Sequence, residues 1–435
     1  MKHLIVGDGH GALRAAARLD NALWLSTGAE PDSAAEIPED RGHVSAEDGA
    51  DQRVAALYGA APNTLVPTRG ILLGAKVRAL PLRRRDLVGL LPPDAARRAL
   101  EDWVRTRARI HLRKLVGGGL EERSYRDWVV HRVGEGAFEH IYRQYGEARF
   151  GPTDAVNAAA ARQAHAQVQS GPRVALGSSP AAGLASLRRK VAEARVGPRV
   201  TGVTLRDGRV AAVRTSEGEI ELEGQLWWAS SLPELVSVMG EVLSEGTRWE
   251  MRGLPCRHRV QVMLRRSGAG AELPGELHVL DSSPFFRVSR PALIPGCESL
   301  EQSLVAHLSL PDDSPLWRGT DRELVEQTAA AFSALGLPAV ESAGAVVLRL
   351  PNYDPCWQGV WHPWHVRTTH ALAQLGVRLV GRGATYRRMD AGRELLLLDA
   401  MLKSSRDDHE LFRVLVDPPV VLDDEQASFS RFVEQ

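Results

Sequence analysis

The sequence predicts an α/β fold with an α+β insert, and three observations carry that prediction. A short apolar run, His3 to Val6, feeds a glycine-rich turn and then an alanine-rich helical pattern, the strand-turn-helix order that opens a Rossmann-like domain. From Arg199 the pattern becomes alternating, through Val200, Val203, Leu205, Val210, Val213, Ile220 and Leu222. Turns at Asp207-Gly208 and Glu217-Gly218 make this a three-stranded meander. Near the end, Val377 to Gly383 reads as a strand closing in glycines, followed by a helix from about Gly392 to Lys403, so the last strand-turn-helix echoes the first.

The opening turn is Gly7-Asp8-Gly9-His10-Gly11-Ala12-Leu13. Gly7 allows the tight strand-to-helix turn, Gly9 lets the backbone approach a pyrophosphate, and the small Ala12 lets the helix pack on the strand with its N-terminal amides aimed at the anion. The helix then meets no breaker until Asp20-Asn21, and Leu23 to Ser26 is a second strand, followed by loop composition to near Asp51. Residues 71–82 are apolar with Gly74 and Pro81, and Asp94 is expected to cap a helix whose core face is Leu100, Trp103, Val104 and Ile110. Between Ser124 and Phe150 a second helical region carries Trp128, Phe138, Ile141, Tyr142 and Tyr145, with Gly134 as a break. Leu226 to Ala229 is a buried strand leading through Ser230-Ser231 into a helix at Pro233. Residues 256–350 read mainly as strands, including Arg259 to Leu264, Glu276 to Leu280 and Leu304 to Leu308, with a helix from Thr320 to Leu335.

A chain of 435 residues is long enough for two domains sharing one interface. Lys plus Arg balance Asp plus Glu at 54 each, so no net basic field recruits nucleic acid or an anionic membrane, and Arg83-Arg84-Arg85 reads as a solvated face. Cys256, Cys297 and Cys356 are odd in number and widely spaced, which favours neither a disulfide framework nor a CxxC metal site and fits a reducing cytoplasm. No apolar run reaches the length of a membrane span or of a signal-peptide core, so a soluble, cytoplasmic protein is expected. Gly177-Ser178-Ser179-Pro180 lacks the second glycine of a nucleophile elbow, and no segment offers the glycine-lysine pair of a triphosphate-binding loop. His362, His365 and His370 do not make a metal site, because Pro363 interrupts the pair and no acid lies close in sequence. Tyr353, Trp357 and the neighbouring aromatics either line a pocket wall or pack against a sheet.

The segment Ser124-Tyr125-Arg126-Asp127-Trp128, through Tyr142-Arg143-Gln144-Tyr145-Gly146-Glu147 to Phe150-Gly151, resembles the helical segment of the flavin-containing amine oxidase group, nearest to UDP-galactopyranose mutase and protoporphyrinogen oxidase-like proteins. Ala79-Leu80-Pro81-Leu82, Val200-Thr201-Gly202-Val203, Pro284 to Ser289 and Gly381 to Arg387 fall in the same order, so the resemblance spans nearly the whole chain. It implies an FAD-binding domain from residues 1–70, 185–245 and 370–435, a helical insert at 71–184 and a sheet-containing substrate domain at 246–369. It places the final helix N-terminus by the flavin ring, where the dipole stabilises the anionic reduced flavin, and matches Gly381, Arg382, Met389 and Asp390 to those positions. By the same resemblance the backbone at Val200 bonds the adenine and Arg287 lies on the substrate side. Three departures stand out. Ser26, or Thr27, takes the place of the ribose-binding acid at the end of the second strand, the chain is shortened between Gly28 and Gly42-His43, and Gly392 replaces a second acid beyond Gly-Arg.

The expected function is therefore an FAD-dependent oxidoreductase in which the flavin accepts a hydride from a small organic substrate held between the domains. Arg287, Tyr353 and Tyr386 are the candidate orienting residues. Arg287 lies between Phe286 and Val288, so on a strand it faces opposite to both, toward a cleft or toward solvent. A flavin-free descendant serving as a binding or partner subunit, and a nucleotide-sugar mutase-like isomerase, are the alternatives, and homo- and hetero-oligomers both stay open.

Overall fold

The structure is a computed structural model that describes residues 3–7, 10–26, 43–45, 62–65, 68–80, 89–116, 122–158, 161, 173–176, 180–191, 193–268, 272–293, 298–358, 361–386 and 391–403. The chain opens with β1 (His3–Val6), turns at Gly7, and runs through α1 (His10–Arg18) into β2 (Ala22–Ser26). Two short strands, β3 (His43–Ser45) and β4 (Pro62–Leu65), precede the hairpin of β5 (Arg69–Leu73) and β6 (Lys76–Ala79). Gly74 and Ala75 both take positive φ, the geometry of a tight two-residue hairpin turn. Helix α2 (Pro93–Leu115) follows, then α3 (Tyr125–Val133), closed at its start by a capping box between Ser124 and Asp127. After Gly134 and a π-turn at Phe138–Tyr142 comes α4 (Arg143–Phe150).

The second half begins with β7 (Arg173–Leu176), α5 (Pro180–Lys190) and β8 (Glu193–Val196). The meander is β9 (Val200–Arg206), β10 (Arg209–Thr215) and β11 (Gly218–Glu221), with β12 (Leu226–Trp228) next. Ser231 caps α6 (Leu232–Met239), and α7 (Glu245–Gly253) leads into β13 (Cys256–Arg266), β14 (Glu276–Val279), β15 (Arg287–Ser289) and β16 (Ser303–Leu310). Helix α8 (Asp321–Ala334) starts at a Thr320–Glu323 capping box, and β17 (Val340–Pro355) is a strand longer than anything the sequence pattern implied. The chain continues through α9 (Trp361–Gln374), β18 (Val377–Leu379), α10 (Gly381–Thr385) and α11 (Ala391–Lys403).

A five-stranded parallel sheet, β18-β12-β1-β2-β8, is buried on both faces over its first four strands, while the edge strand β8 is largely exposed. Leu4 and Val6 point into a core shared with the meander, α3 and α9, whereas Ile5 points to the other side against Ala12, Leu13, Ala15 and the α11 leucines. This is the two-sided burial expected of a parallel sheet. A seven-stranded mixed sheet, β17-β13-β16-β15-β14-β5-β6, turns an apolar face formed by Val260, Val262, Leu277, Val288, Ala306 and Leu308 toward α8. The mixture of helices and sheets around a parallel sheet is the α/β class read from the sequence.

Four local readings change. Asp94 is in the first turn of α2 and not before it, since Pro93 opens the helix, as its fixed φ favours. The buried residues of α2 are Ala95, Ala96 and Ala99, while Val104 is exposed and Leu100, Trp103 and Ile110 are half-buried. The cause is a close approach of two backbones: a Cβ on Gly134 would stand 2.9 Å from the Trp103 amide nitrogen, and one on Gly136 would stand 3.1 Å from Ala99 Cα. Gly381, Arg382 and Gly383 do not end a strand; β18 stops at Leu379 and the glycines open α10. Pro363, read as an interruption, sits in the first turn of a continuous α9, where its missing N–H costs nothing.

Candidate functional site

The predicted dinucleotide turn has a glycine at its decisive point. Gly7 has φ of +134°, and a Cβ there would meet the Ser230 amide nitrogen at 2.9 Å and Ala229 carbonyl carbon at 3.0 Å. Glycine is required both for the conformation and for the approach to the end of β12. Ala12 and Leu13 are wholly buried and hold α1 on the sheet. Gly11 faces the other end of the chain: a Cβ added there would stand 3.0 Å from Gly381 Cα, and Gly381 itself has φ of +79°. The first and last strand-turn-helix units thus meet at Gly11 and Gly381, two positions about 370 residues apart in sequence and both named from it. Gly9, Met389, Asp390 and the Arg382 side chain lie outside the described residues.

Charge at this junction is arranged in a way the sequence did not reveal. Arg14 of α1 is buried and forms an ion pair with Glu394 of α11, whose Oε1 would be 2.6 Å from a Cβ on Gly11. The remaining cavity between Gly11, Arg14, Gly381 and Glu394 is about 10 Å³, room for one water at most. Ser26 is buried at the end of β2, where its carbonyl accepts from the Gly197 amide at 3.0 Å beside the edge strand β8. Val200 opens β9 opposite Thr215.

The second part of the site is the other face of the seven-stranded sheet. Register places His278, Arg287, His307 and Gln261 directly opposite one another on four adjacent strands, all of them buried. Arg287 Nη2 lies 3.2 Å from His307 Nδ1, and the Ser289 hydroxyl is 2.8 Å from His307 Nε2. Arg287 also has the Glu276 carboxylate at 3.9 Å. Solvent, the expectation from residue type alone, is therefore not where Arg287 points. Arg259 makes an ion pair with the buried Asp354 at 2.7 Å, and its guanidinium stands 5.5 Å from the Tyr353 ring and 5.0 Å from that of Phe286.

Helix α4 covers this face. Arg149 Nη1 donates to the Tyr145 hydroxyl at 2.7 Å, and the hydroxyl is 3.0 Å from His278 Nδ1. Arginine can only donate, so the hydroxyl accepts from Arg149 and keeps its own hydrogen to offer Nδ1, the arrangement in which His278 carries its hydrogen on Nε2. Nε2 is buried without a hydrogen-bond partner among the described residues. Burial drives the His278 pKa down to about 3, so the imidazole is neutral.

Tyr386, the third candidate orienting residue, is engaged with the protein's own backbone. It is wholly buried, and its hydroxyl donates toward the carbonyl oxygens of Pro255 and Cys356, at 2.5 and 2.8 Å, while its own carbonyl accepts from Trp357 Nε1 at 3.0 Å. Trp357 and Trp361 stack at 4.9 Å, so the aromatic stretch packs in the core. Among the described residues no group of three His, Cys, Asp or Glu side chains is placed to hold a metal ion. His278, His307, Gln261, Arg259 and Arg149 were not picked out from the sequence. The available signal was a polar residue at every second position, as in His307 and Ser309 between Ala306, Leu308 and Leu310.

No family model matches the chain, and no curated protein does. Solved structures do. A reduced UDP-galactopyranose mutase superposes with a TM-score of 0.73 at 13% identity, covering 96% of this chain and 98% of that one. The chain has the fold of that protein. A putative protoporphyrinogen oxidase from Exiguobacterium sp. 255-15 gives 0.66 at 14% identity, with 93% and 98% covered. A cofactor-binding redesign of putrescine oxidase gives 0.59 at 12%, with 92% and 98% covered. All three superpose over nearly their whole length, so the fold is shared from end to end. Identities this low establish the fold alone.

Proposed function

We propose that this chain is an FAD-dependent oxidoreductase that takes a hydride from a small organic substrate held against the polar face of the seven-stranded sheet. The observation that carries the reading is the meeting of Gly11 with Gly381, which brings the opening turn and the glycine-arginine segment to one place at the ends of β1 and β18. The backbone has what such a turn requires, two glycines in close approach with the N-terminal end of α1 beside them, while Glu394 closes the junction to about 10 Å³, so a diphosphate there would require the Glu394 side chain to move aside. The turn at residues 7–11 and Arg382 would hold the diphosphate, the Val200 backbone the adenine, and the Met389-Asp390 segment the flavin ring. Ser26 supplies a weaker ribose contact than a carboxylate, and the Arg14–Glu394 pair sets an acid beside Gly11. When bound, the isoalloxazine supplies the hydride acceptor.

The chain's own residues would orient the substrate and exclude water. Arg287 and the neutral His278 offer hydrogen bonds to a substrate oxygen, Tyr353 lies under Arg259 as part of the same wall, and α4 shields it. Tyr386 acts through structure, tying α10 to the Pro255 and Cys356 carbonyls. In this reading residues 1–70, 185–245 and 370–435 form the cofactor domain, 71–184 the helical insert and 246–369 the substrate domain.

The visible spectrum of the purified chain, before and after adding FAD, tests the proposal. A yellow preparation, or uptake of FAD by a colourless one, is expected. A colourless protein that takes up no FAD would overturn it and leave a flavin-free binding subunit.

A further inference from the structure

We infer that the outer end of α2 docks the protein on a lipid surface bearing anionic headgroups. Val104 is 57% exposed, Leu112 64%, Leu115 82% and the adjoining Val116 81%, four of the seven exposed large hydrophobic side chains among the described residues. Val104, Ala108, Leu112 and Leu115 recur at i, i+4, i+8 and i+11, so they form one stripe, turned away from the buried Ala95, Ala96 and Ala99 face. Isolated apolar side chains on a surface need no explanation, but a stripe does.

Charge identifies the occupant. Residues 105–114 contain Arg105, Arg107, Arg109, Arg113 and Lys114 and no acid. Arg105, Arg109 and Arg113 each follow a member of the stripe by one residue and so run beside it. Arg105 turns back toward Glu101 and Asp102, at 3.8 and 3.6 Å, but among the described residues Arg109 and Arg113 pair with no acid. A second copy joined stripe to stripe would set these cations against one another, since the acids of α2, Asp94, Glu101 and Asp102, all lie in its first half. An anionic bilayer matches both the apolar stripe and its basic margin, the arrangement of helices that lie in the membrane interface. The balanced charge of the whole chain does not cancel this patch, because fields in salt reach only about 8–10 Å. No helix of the described residues is long and apolar enough to cross a membrane, so the contact is peripheral.

Sedimentation of the full chain with vesicles tests the inference. The chain should pellet with mixed phosphatidylcholine–phosphatidylglycerol vesicles, stay in solution with phosphatidylcholine alone, and be released in about 1 M salt, where screening is nearly complete. Leu112→Ser with Leu115→Ser, and separately Arg109→Glu with Arg113→Glu, should each lower partitioning by about tenfold or more, with an unchanged far-UV spectrum. Absence of binding to the anionic vesicles, or variants that bind as the parent does, would overturn it. So would a dimer in solution that the double leucine variant dissociates.

Discussion

At the scale of single residues, the informative group is His278. Its Nδ1 is committed to the Tyr145 hydroxyl, which is itself polarised by Arg149, and its Nε2 is buried without a hydrogen-bond partner among the described residues. The neutral form is held by burial, so the folded pKa lies near 3 against an ordinary value of 6.5. Above pH 6.5 the ring is neutral folded and unfolded alike; as pH falls from 6.5 toward 3 the unfolded chain takes up a proton that the folded chain refuses. Stability is therefore lost in that window, with a slope from this group of up to about 1.4 kcal/mol per pH unit. His278→Gln is expected to flatten the dependence of urea midpoint on pH between 6.5 and 3, and an unaltered curve would rule out a buried neutral histidine. Nitrogen NMR of labelled histidine should find the Nε2–H tautomer, and Tyr145→Phe should abolish that preference. Gly7 gives a second expectation at this scale. Alanine at φ of +134° and 2.9 Å from a backbone nitrogen is strained and crowded at once, so Gly7→Ala should lower unfolding free energy by about 1–3 kcal/mol in denaturant melts.

Between elements, the decisive contact is that of α1 with α10 and α11. An anion at Gly11 competes electrostatically with a diphosphate arriving at the same helix end, because both seek the same N-terminal amides and the same Arg14. Glu394→Gln removes the charge but keeps the shape. It should tighten FAD binding several-fold to tenfold in a fluorescence-quenching titration, and weaker binding would mean that the carboxylate serves the cofactor indirectly through Arg14. This junction also marks how far the sequence is legible. The turn at Gly7, the meander and the closing unit could be read because hydrophobic period and turn glycines are local properties. The order β18-β12-β1-β2-β8 could not, since pairing Leu4 with Leu226 and Leu226 with Val377 leaves no local mark. The same holds for the polar wall: Gln261, His307 and Arg287 alternate with apolar residues as on any half-solvated strand, and their burial comes from tertiary packing, to which α4 contributes through Tyr145 on His278 and the Arg149 carbonyl on Ser309. Val104 failed in the opposite sense, because helical spacing reports an apolar stripe without saying what covers it.

For the molecule as a whole, one apolar core joins Leu4 and Leu25 of the parallel sheet to Val213 of the meander, Trp128 and Phe150 of the helical segment, and Trp357 and Tyr386 near its end. A cofactor bound at the Gly11–Gly381 junction would lie against the second core, which Val380, Leu397, Leu398 and Met401 share with Ile5 and Trp227 of the same sheet, so its binding free energy should stabilise the sheet and, through it, the helical segment packed on its other face. Linkage gives the size: free FAD at 100 times its dissociation constant adds about 2.7 kcal/mol, provided the unfolded chain does not bind it. Thermal melts followed by tryptophan fluorescence and by far-UV circular dichroism should therefore coincide, and FAD should raise both midpoints together. Tryptophans report from distinct places, Trp227 and Trp228 in the parallel sheet, Trp128 in α3 and Trp317 beside the seven-stranded sheet, so the two probes weigh the molecule differently. Two separated transitions, with FAD moving only one of them, would show that the shared core does not couple the cofactor site to the sheet that carries Arg287 and His278. Coincident transitions moved by FAD would tie the dinucleotide turn and the polar wall into one cooperative unit, the condition under which a substrate held on one could meet a flavin held on the other.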